Sequence, residues 1–267
     1  MTRLSSIIIV SLICLFTFSI ELPKKTENDS YFTTSIDDSL VLFDKAISGF
    51  AYDDIFYVND SLWLIIHSDT IFNFAAIYDI SDLESVAVFS KILRGQETAA
   101  TTRKGSFRVD PLLPRGLRAT TSMYTNSGYD RGHLVPAHEK VWDEECMLQT
   151  FFMTNIAPQL EEFNRGCWLD IENYICDDLN QSSQRDTIYC VRGSNILVCD
   201  TLERLSDTPI PIPTSFFAAF QIVKGGVSYS LYFDIEQPDM LEDGHDFWDH
   251  QVSKDSLERH YHVKLWI

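Results

Sequence analysis

Between Ser127 and Glu172 the chain gathers side chains that together suit the hydrolysis of a phosphodiester: Arg131, His133, Asn155, Asn164 and Glu172. A phosphodiester is negatively charged and has a poor leaving group. Cutting it takes a base to deprotonate water, a cation to offset the charge that builds on phosphorus, and in-line geometry. His133 fits the base, because an imidazole titrates near neutrality. Arg131 can clamp a phosphate with a bidentate fork. The carbonyl oxygens of Asn155 and Asn164 suit a hard cation such as Mg²⁺, which keeps several waters and takes few protein ligands. Glu172 lies eight residues beyond Asn164, about 12 Å along a continuous helix, so it would meet a cation through water. Each residue also has a plainer reading. A histidine can be structural, Asn155 a turn residue, Asn164 a helix N-cap and Glu172 a solvated helix position. The order and spacing of all five favour the chemical reading.

The elements that must carry these residues follow from periodicity and turn signals. Trp168, Ile171, Ile175 and Leu179 recur at helical spacing, which predicts a helix over 165–179 with Asn164 at its start. Residues 55–78 read as two or three strands with a turn at Asn59-Asp60-Ser61, and their weak alternation suits strands buried on both faces. Ser81 with Glu84 three residues on has the form of a capping box, predicting a short helix over 81–93. Pro111 and Pro114 make 94–114 a long ordered loop. "DTIYCVRGSNILVC" reads as a hairpin turning at 192–195, and two further strands flank Gly225-Gly226. The C-terminal stretch reads as a helix with Phe247, Val252 and Leu257 inward. With no repeat and no Gly/Ser linker, one α+β domain over 55–267 accounts for the pattern.

Composition sets the outer limits. With 267 residues, 45% hydrophobic and 13% aromatic, the chain can bury a large core and is not a disordered polymer. Its net charge of -18 excludes a protein that clings to nucleic acid or anionic membrane by bulk charge. A nucleic-acid enzyme then needs local positive charge and binds weakly, with strong salt dependence. Arg3 followed by the apolar run Ile7–Ile20 reads as a signal peptide over 1–20, or as an uncleaved anchor, and 21–54 as a polar extension. The expected location is outside the cell or in the endomembrane lumen, with membrane attachment only if the signal is uncleaved. Sequons at Asn28, Asn59 and Asn180 fit that route. Five cysteines follow the signal, so at most two disulfides form, and the spacings Cys167/Cys176 and Cys190/Cys199 suggest bridges. No C-x-x-C, H-E-x-x-H or G-x-S-x-G occurs, which sets aside zinc ribbons, zincins and the common serine esterases.

"DRGHLVPA", followed by "TFFMTNIAPQ", "FNRGCW" and "DIENYI", resembles the DNA/RNA non-specific endonucleases of the ββα-metal (His-Me finger) class. The resemblance extends, less sharply, through "FRVDP", "IPTSFFAAF" and "DFW". It implies an α+β fold, with a central antiparallel sheet flanked by helices and a hairpin-plus-helix core holding one Mg²⁺, with Mn²⁺ as a substitute. By the same resemblance His133 activates water and Asn164 is the direct metal ligand. Asn155 orients His133 or the phosphate, Arg131 supports the transition state, and Glu172 meets the cation through water. Arg103, Arg108 and Gln159 are the expected substrate contacts, and DNA and RNA the substrates, cut to leave 5′-phosphates by a monomer or homodimer. Three positions depart from the family's pattern. Neither Arg103 nor Arg108 stands at the usual spacing before Asp110-Pro111. Cys176 replaces an arginine one turn beyond the glutamate, and Arg192 replaces a threonine before Gly193. The competing expectation is a weak or inactive homologue that binds nucleic acid or another partner.

Overall fold

The apolar runs that alternate so poorly belong to strands covered on both faces. The computed structural model describes residues 19–20, 52–69, 71–96, 98–179, 185–237 and 246–265. In chain order the strands are β1 (Ser19–Ile20), β2 (Asp54–Tyr57), β3 (Leu62–Asp69), β4 (Ile71–Asp79), β5 (Glu84–Leu93), β6 (Asp130–His133), β7 (Ile156–Gln159), β8 (Thr187–Ser194), β9 (Ser215–Lys224), β10 (Val227–Glu236) and β11 (Val263–Lys264). The helices are α1 (Glu144–Gln149), α2 (Glu161–Arg165), α3 (Cys167–Asn173), which runs on into a π-helical turn Tyr174–Leu179, and α4 (Lys254–Tyr261).

Seven strands form one antiparallel sheet in the order β10-β9-β8-β5-β4-β3-β2. Successive residues of a strand point to opposite faces, and here each face has its own core. On β9, Phe216, Ala218, Phe220 and Ile222 join α3 residues Trp168, Ile171 and the following Ile175. Phe217 and Ala219 face the other way, towards Leu257 and Tyr261 of α4. The result is the expected α+β architecture. The hairpin β6–β7 pairs separately, with Asp130 opposite Gln159 and His133 opposite Ile156. With α2 and α3 it makes a ββα unit on the face that carries Trp168.

Local signals explain the predicted elements that hold. Asn59 Oδ1 accepts from the amides of Ser61 and Leu62, each at 2.8 Å, and closes the turn before β3. Gly225 and Gly226 take the positive φ that the β9–β10 turn demands. Asp143 caps α1 by accepting from the Cys146 amide at 2.9 Å. At the C-terminus a 3-10 turn at Phe247–His250 precedes α4, and Leu257 is fully buried.

Three expectations are corrected. Residues 84–93 form strand β5, not a helix: Asp79, rather than Ser81, organises the turn by accepting from the Ser81 amide at 2.7 Å. Val86, Val88 and Ile92 then fill both cores between β4 and β8, so tertiary pairing overrides the capping pattern. The turn expected at 192–195 is absent, because Arg192 lies inside β8, paired with Val88 on one side and Ala218 on the other. The helix expected over 165–179 starts earlier and breaks at Gly166, with Asn164 inside α2 rather than at a cap. A Cβ at Gly166 would come within 2.4 Å of the Glu162 carbonyl.

No disulfide joins the five cysteines among the described residues, so the two suggested bridges are not made. The nine-residue helical step from Cys167 to Cys176 spans about 13 Å, beyond the reach of a disulfide. Cys190 is buried in β8 while Cys199 is partly exposed beyond it. The signal expected over 1–20 lies outside the described residues apart from β1, which pairs with β11. The extension over 21–54 lies outside them too, apart from its last three residues, where β2 begins at Asp54. The sequons at Asn28 and Asn180 are also outside, while Asn59 is on an exposed turn.

Candidate active site

Strand β6 is the spine of the site, and two helices grip it from one side. Asn164 of α2 donates its amide to Asp130 Oδ2 at 3.0 Å. Arg165 adds hydrogen bonds from Nε (3.1 Å) and Nη2 (3.3 Å) to the same carboxylate. Three residues along β6, the His133 carbonyl accepts from Trp168 Nε1 of α3 at 3.0 Å. The base candidate and the metal-ligand candidate are thus tied to one four-residue strand. Asn164 spends its NH₂ on Asp130 and leaves its carbonyl oxygen for another partner. Asp130 and Trp168 are the two positioning residues that sequence reasoning missed. Asp130 had a visible signal, since it opens the DRGH motif.

His133 is 7% exposed. Its ring sits between Phe107 (centroids 5.3 Å apart) and Phe151 (5.1 Å, edge-on), and its Nε2 is buried without a partner. Burial, followed by the nearby Arg103 charge, lowers its pKa to about 3, so the imidazole is neutral and able to accept a proton. Arg131 is half-buried. Its guanidinium lies over Phe107 and Tyr124 and donates to the Thr121 carbonyl at 3.2 Å. Gly132 between them has a steric reason. A Cβ there would meet Gln159 Oε1 at 1.9 Å.

Glu172 is half-buried on α3. Burial pushes its carboxyl up to about 8, opposed by the positive charge of Arg192 and, more weakly, of Arg103, while Glu139 adds to the rise. Arg103 is exposed and acts on both His133 and Glu172, which places it at the site. Arg108 is turned away, with its guanidinium 4.6 Å from the Phe152 ring centre and its backbone bridged to that residue.

Two further expected site residues are fully buried at the hairpin. Asn155 is fully buried. It accepts from the Val135 amide at 2.8 Å and donates to the carbonyls of Val135 (2.8 Å) and Thr150 (2.9 Å). Its amide group is thus hydrogen-bonded to main chain on both sides of the hairpin. Gln159, expected as a substrate contact, is also fully buried and packed over Gly132.

The donor set can be tested for a divalent cation. Among the described residues no three His, Cys, Asp or Glu side chains converge on one point. A cation here would therefore be held by an amide oxygen, one carboxylate and water, as Mg²⁺ prefers. The uncommitted Asn164 carbonyl and a Glu172 carboxyl raised by burial, with too little positive charge nearby, fit that role.

Comparison with known proteins bears on the family and the fold. A curated nuclease of Nostoc sp. is 44% identical over 94 residues, 35% of this chain and 33% of that protein. Nuclease C1 of Cunninghamella echinulata is 30% identical over 131 residues, 46% of this chain and 51% of that protein. Human mitochondrial endonuclease G is 39% identical over 72 residues, 27% of this chain and 24% of that protein. The chain thus spans at most about half the length of these relatives. A crystal structure of the EndoG/EndoGI complex superposes with a TM-score of 0.66 at 21% identity, covering 74% of this chain and 84% of that one, which speaks for the fold. The sequence profile of the DNA/RNA non-specific endonucleases matches residues 66–265, and the chain belongs to that family.

Proposed function

We propose that this chain is a Mg²⁺-dependent endonuclease that hydrolyses phosphodiester bonds in both DNA and RNA, with Mn²⁺ as a substitute ion. The observation that carries the reading is the single strand that holds a neutral, aromatic-caged His133 at one end and anchors Asn164 through Asp130 at the other. His133 takes a proton from the attacking water. Arg103 and the stacked Arg131 hold the phosphate. A docked phosphate would offset the Arg103 charge and so raise the basicity of His133 when substrate is present. Were Mg²⁺ bound, Asn164 would offer its carbonyl oxygen and Glu172 would meet the ion through water. When bound, Mg²⁺ supplies positive charge against the developing negative charge on the phosphate oxygens. Cleavage on the 3′-oxygen side leaves 5′-phosphates.

Charge distribution supports this despite the acidic whole. From residue 103 to 131 the chain carries Arg103, Lys104, Arg108, Arg115, Arg118 and Arg131 against Asp110 and Asp130. Asp110 is buried and paired with His67 at 2.9 Å. Of these, Arg103, whose charge acts on His133, and Arg131, two residues before it, supply the local positive charge a phosphate backbone needs, while Lys104 pairs with Glu144 at 2.7 Å and Arg108 packs on Phe152.

The test is digestion of plasmid and of RNA with Mg²⁺ or with EDTA, beside the Asn164→Ala variant. Cleavage should require the ion, and the variant should need more Mg²⁺ for half-maximal rate. An unchanged metal titration in Asn164→Ala would remove it as ligand. No cleavage by the wild type would favour the second reading, a weak or inactive homologue that binds nucleic acid or another partner, and the net charge of -18 points to the latter.

We further propose secretion or an endomembrane lumen, on the strength of the apolar run Ile7–Ile20 and the sequons. One relative is mitochondrial by name, so N-terminal sequencing of the mature protein decides between the routes. Among the described residues no helix is long and apolar enough to cross a membrane. A monomer or homodimer is the expected state, to be read by sedimentation.

A further inference from the structure

Two segments distant in the chain run side by side next to His133. The Arg108 amide donates to the Phe151 carbonyl and the Met153 amide to the Arg108 carbonyl, each at 3.0 Å, which pairs Arg108 with Phe152 in parallel. At one end of the pair Phe107 and Phe151 meet with ring centres 5.4 Å apart, and both rings rest on the His133 imidazole, at 5.3 and 5.1 Å. Phe107 also lies 5.3 Å from the Arg131 guanidinium. At the other end stand Asp110 and Thr154, each three residues beyond its phenylalanine and both buried. The Thr154 hydroxyl donates to Asp110 Oδ2 at 2.5 Å, and Oδ1 accepts from the Leu112 amide at 3.0 Å. Burial works to raise the Asp110 carboxyl, but His67, Thr154 and the Leu112 amide outweigh it and hold it below the usual range, so it stays ionised. An ionised carboxylate only accepts, so His67 Nε2 of β3, 2.9 Å from Oδ2, is the donor there. His67 is itself fully buried, its ring 5.1 Å from that of Phe152. Apolar contact would hold the two segments together without fixing how far one slides along the other. A carboxylate met by three aimed donors fixes it.

We propose that Asp110, clamped by Thr154 and His67, is a positioning residue for the active site: it locks the two segments in the register that closes Phe107 and Phe151 on the His133 ring. The proposal rests on the reading of His133 as the base. It gives the buried polar group at Asp110 a task, since the same register sets the cage that keeps water from the imidazole and the ring on which Arg131 stacks.

The experiment separates this role from fold maintenance by following the His133 imidazole itself. Its NMR signals, assigned by their loss in His133→Ala, are titrated in the full chain without metal. Asp110→Asn keeps the side chain's size but puts an NH₂ where one oxygen accepts. As the cage loosens and water reaches the ring, the His133 midpoint should climb from about 3 towards 6.5 by about a pH unit or more. Arg103, the charged group that acts on this ring, is the same in every variant. Only a neutral ring takes a proton, so kcat/KM should fall away at a higher pH than in the wild type. Cleavage at neutral pH should drop by about 10-fold or more, since a small misplacement of a reacting group is enough for that. Thr154→Val keeps the shape and loses the hydroxyl, whereas Thr154→Ser keeps the hydroxyl and loses a methyl. The valine variant should shift His133 in the same direction, and the serine variant should titrate and cut like the wild type even though it melts lower. These two decide the matter if Asp110→Asn does not fold. An unshifted His133 in folded Asp110→Asn, or a valine variant that titrates like the serine one, would overturn the proposal and leave the nuclease reading intact. A wild type that does not cleave would sink that reading, and the titration alone would then decide the clamp: a shifted imidazole supports it and an unshifted one overturns it.

Discussion

The Asn155→Ala variant removes a fully buried amide that makes three hydrogen bonds to main chain, at 2.8, 2.8 and 2.9 Å. These bonds tie the chain just after His133, at Val135, to the turn at Thr150. At about 1 kcal/mol net for each bond, and more where a main-chain group is left buried without a partner, the loss is roughly 3–5 kcal/mol. For a domain of this size each kcal/mol moves the midpoint by about 2–4 °C, so the melting temperature should fall by roughly 6–20 °C. Thermal melts by circular dichroism give the stability. Cleavage assayed well below both midpoints gives the chemistry, where the Mg²⁺ titration should be unchanged because the main-chain bond from the Leu134 amide to the Asn155 carbonyl (2.9 Å) survives. A variant that melts like the wild type yet loses more than about a hundredfold in rate, the scale of a lost acid–base group, would refute the framework assignment. It would return Asn155 to the chemistry.

Two further outcomes follow from the same geometry. Gly132→Ala places a methyl 1.9 Å from Gln159 Oε1 and 2.5 Å from its Cγ; overpacking of this kind costs about 1–3 kcal/mol. Adding Gln159→Ala should restore both melting temperature and activity, and a stable, active single variant would contradict the packing account. Arg103→Ala should raise KM and flatten the salt dependence of cleavage by close to one ion, as a lost phosphate contact does, whereas Arg108→Ala should leave the salt slope alone. The opposite ranking would exchange their roles.

Much of the site was legible because its chemistry is local in sequence. His133 and Arg131 stand together in DRGH, and Asn164 precedes the helix that carries Glu172. What sequence reasoning missed depends on partners far along the chain. Glu84–Leu93 carries a capping pattern at its start, yet it lies between β4 and β8, and burial on both faces decides for strand. Arg192-Gly193-Ser194-Asn195 has turn composition, and only Glu139, 53 residues earlier, explains an arginine inside a central strand. Asn155 looked catalytic by residue type, while its burial and its bonds to main chain from both sides of the hairpin show only in the fold. Gly166 breaks the helix because of a carbonyl four residues back, a conflict that helical periodicity alone does not register.

The most direct test of the central claim is the rate of plasmid cleavage in saturating Mg²⁺ by His133→Ala, measured beside its melting curve. The ring is wedged between Phe107 and Phe151 and its buried Nε2 has no partner, so truncation opens a cavity that lowers the melting temperature without stranding a hydrogen bond. The account predicts a lowered but still cooperative melting transition and, assayed well below it, a rate lower by at least ~10²-fold, as for a missing general base. Cleavage at the wild-type rate by the folded variant would contradict it.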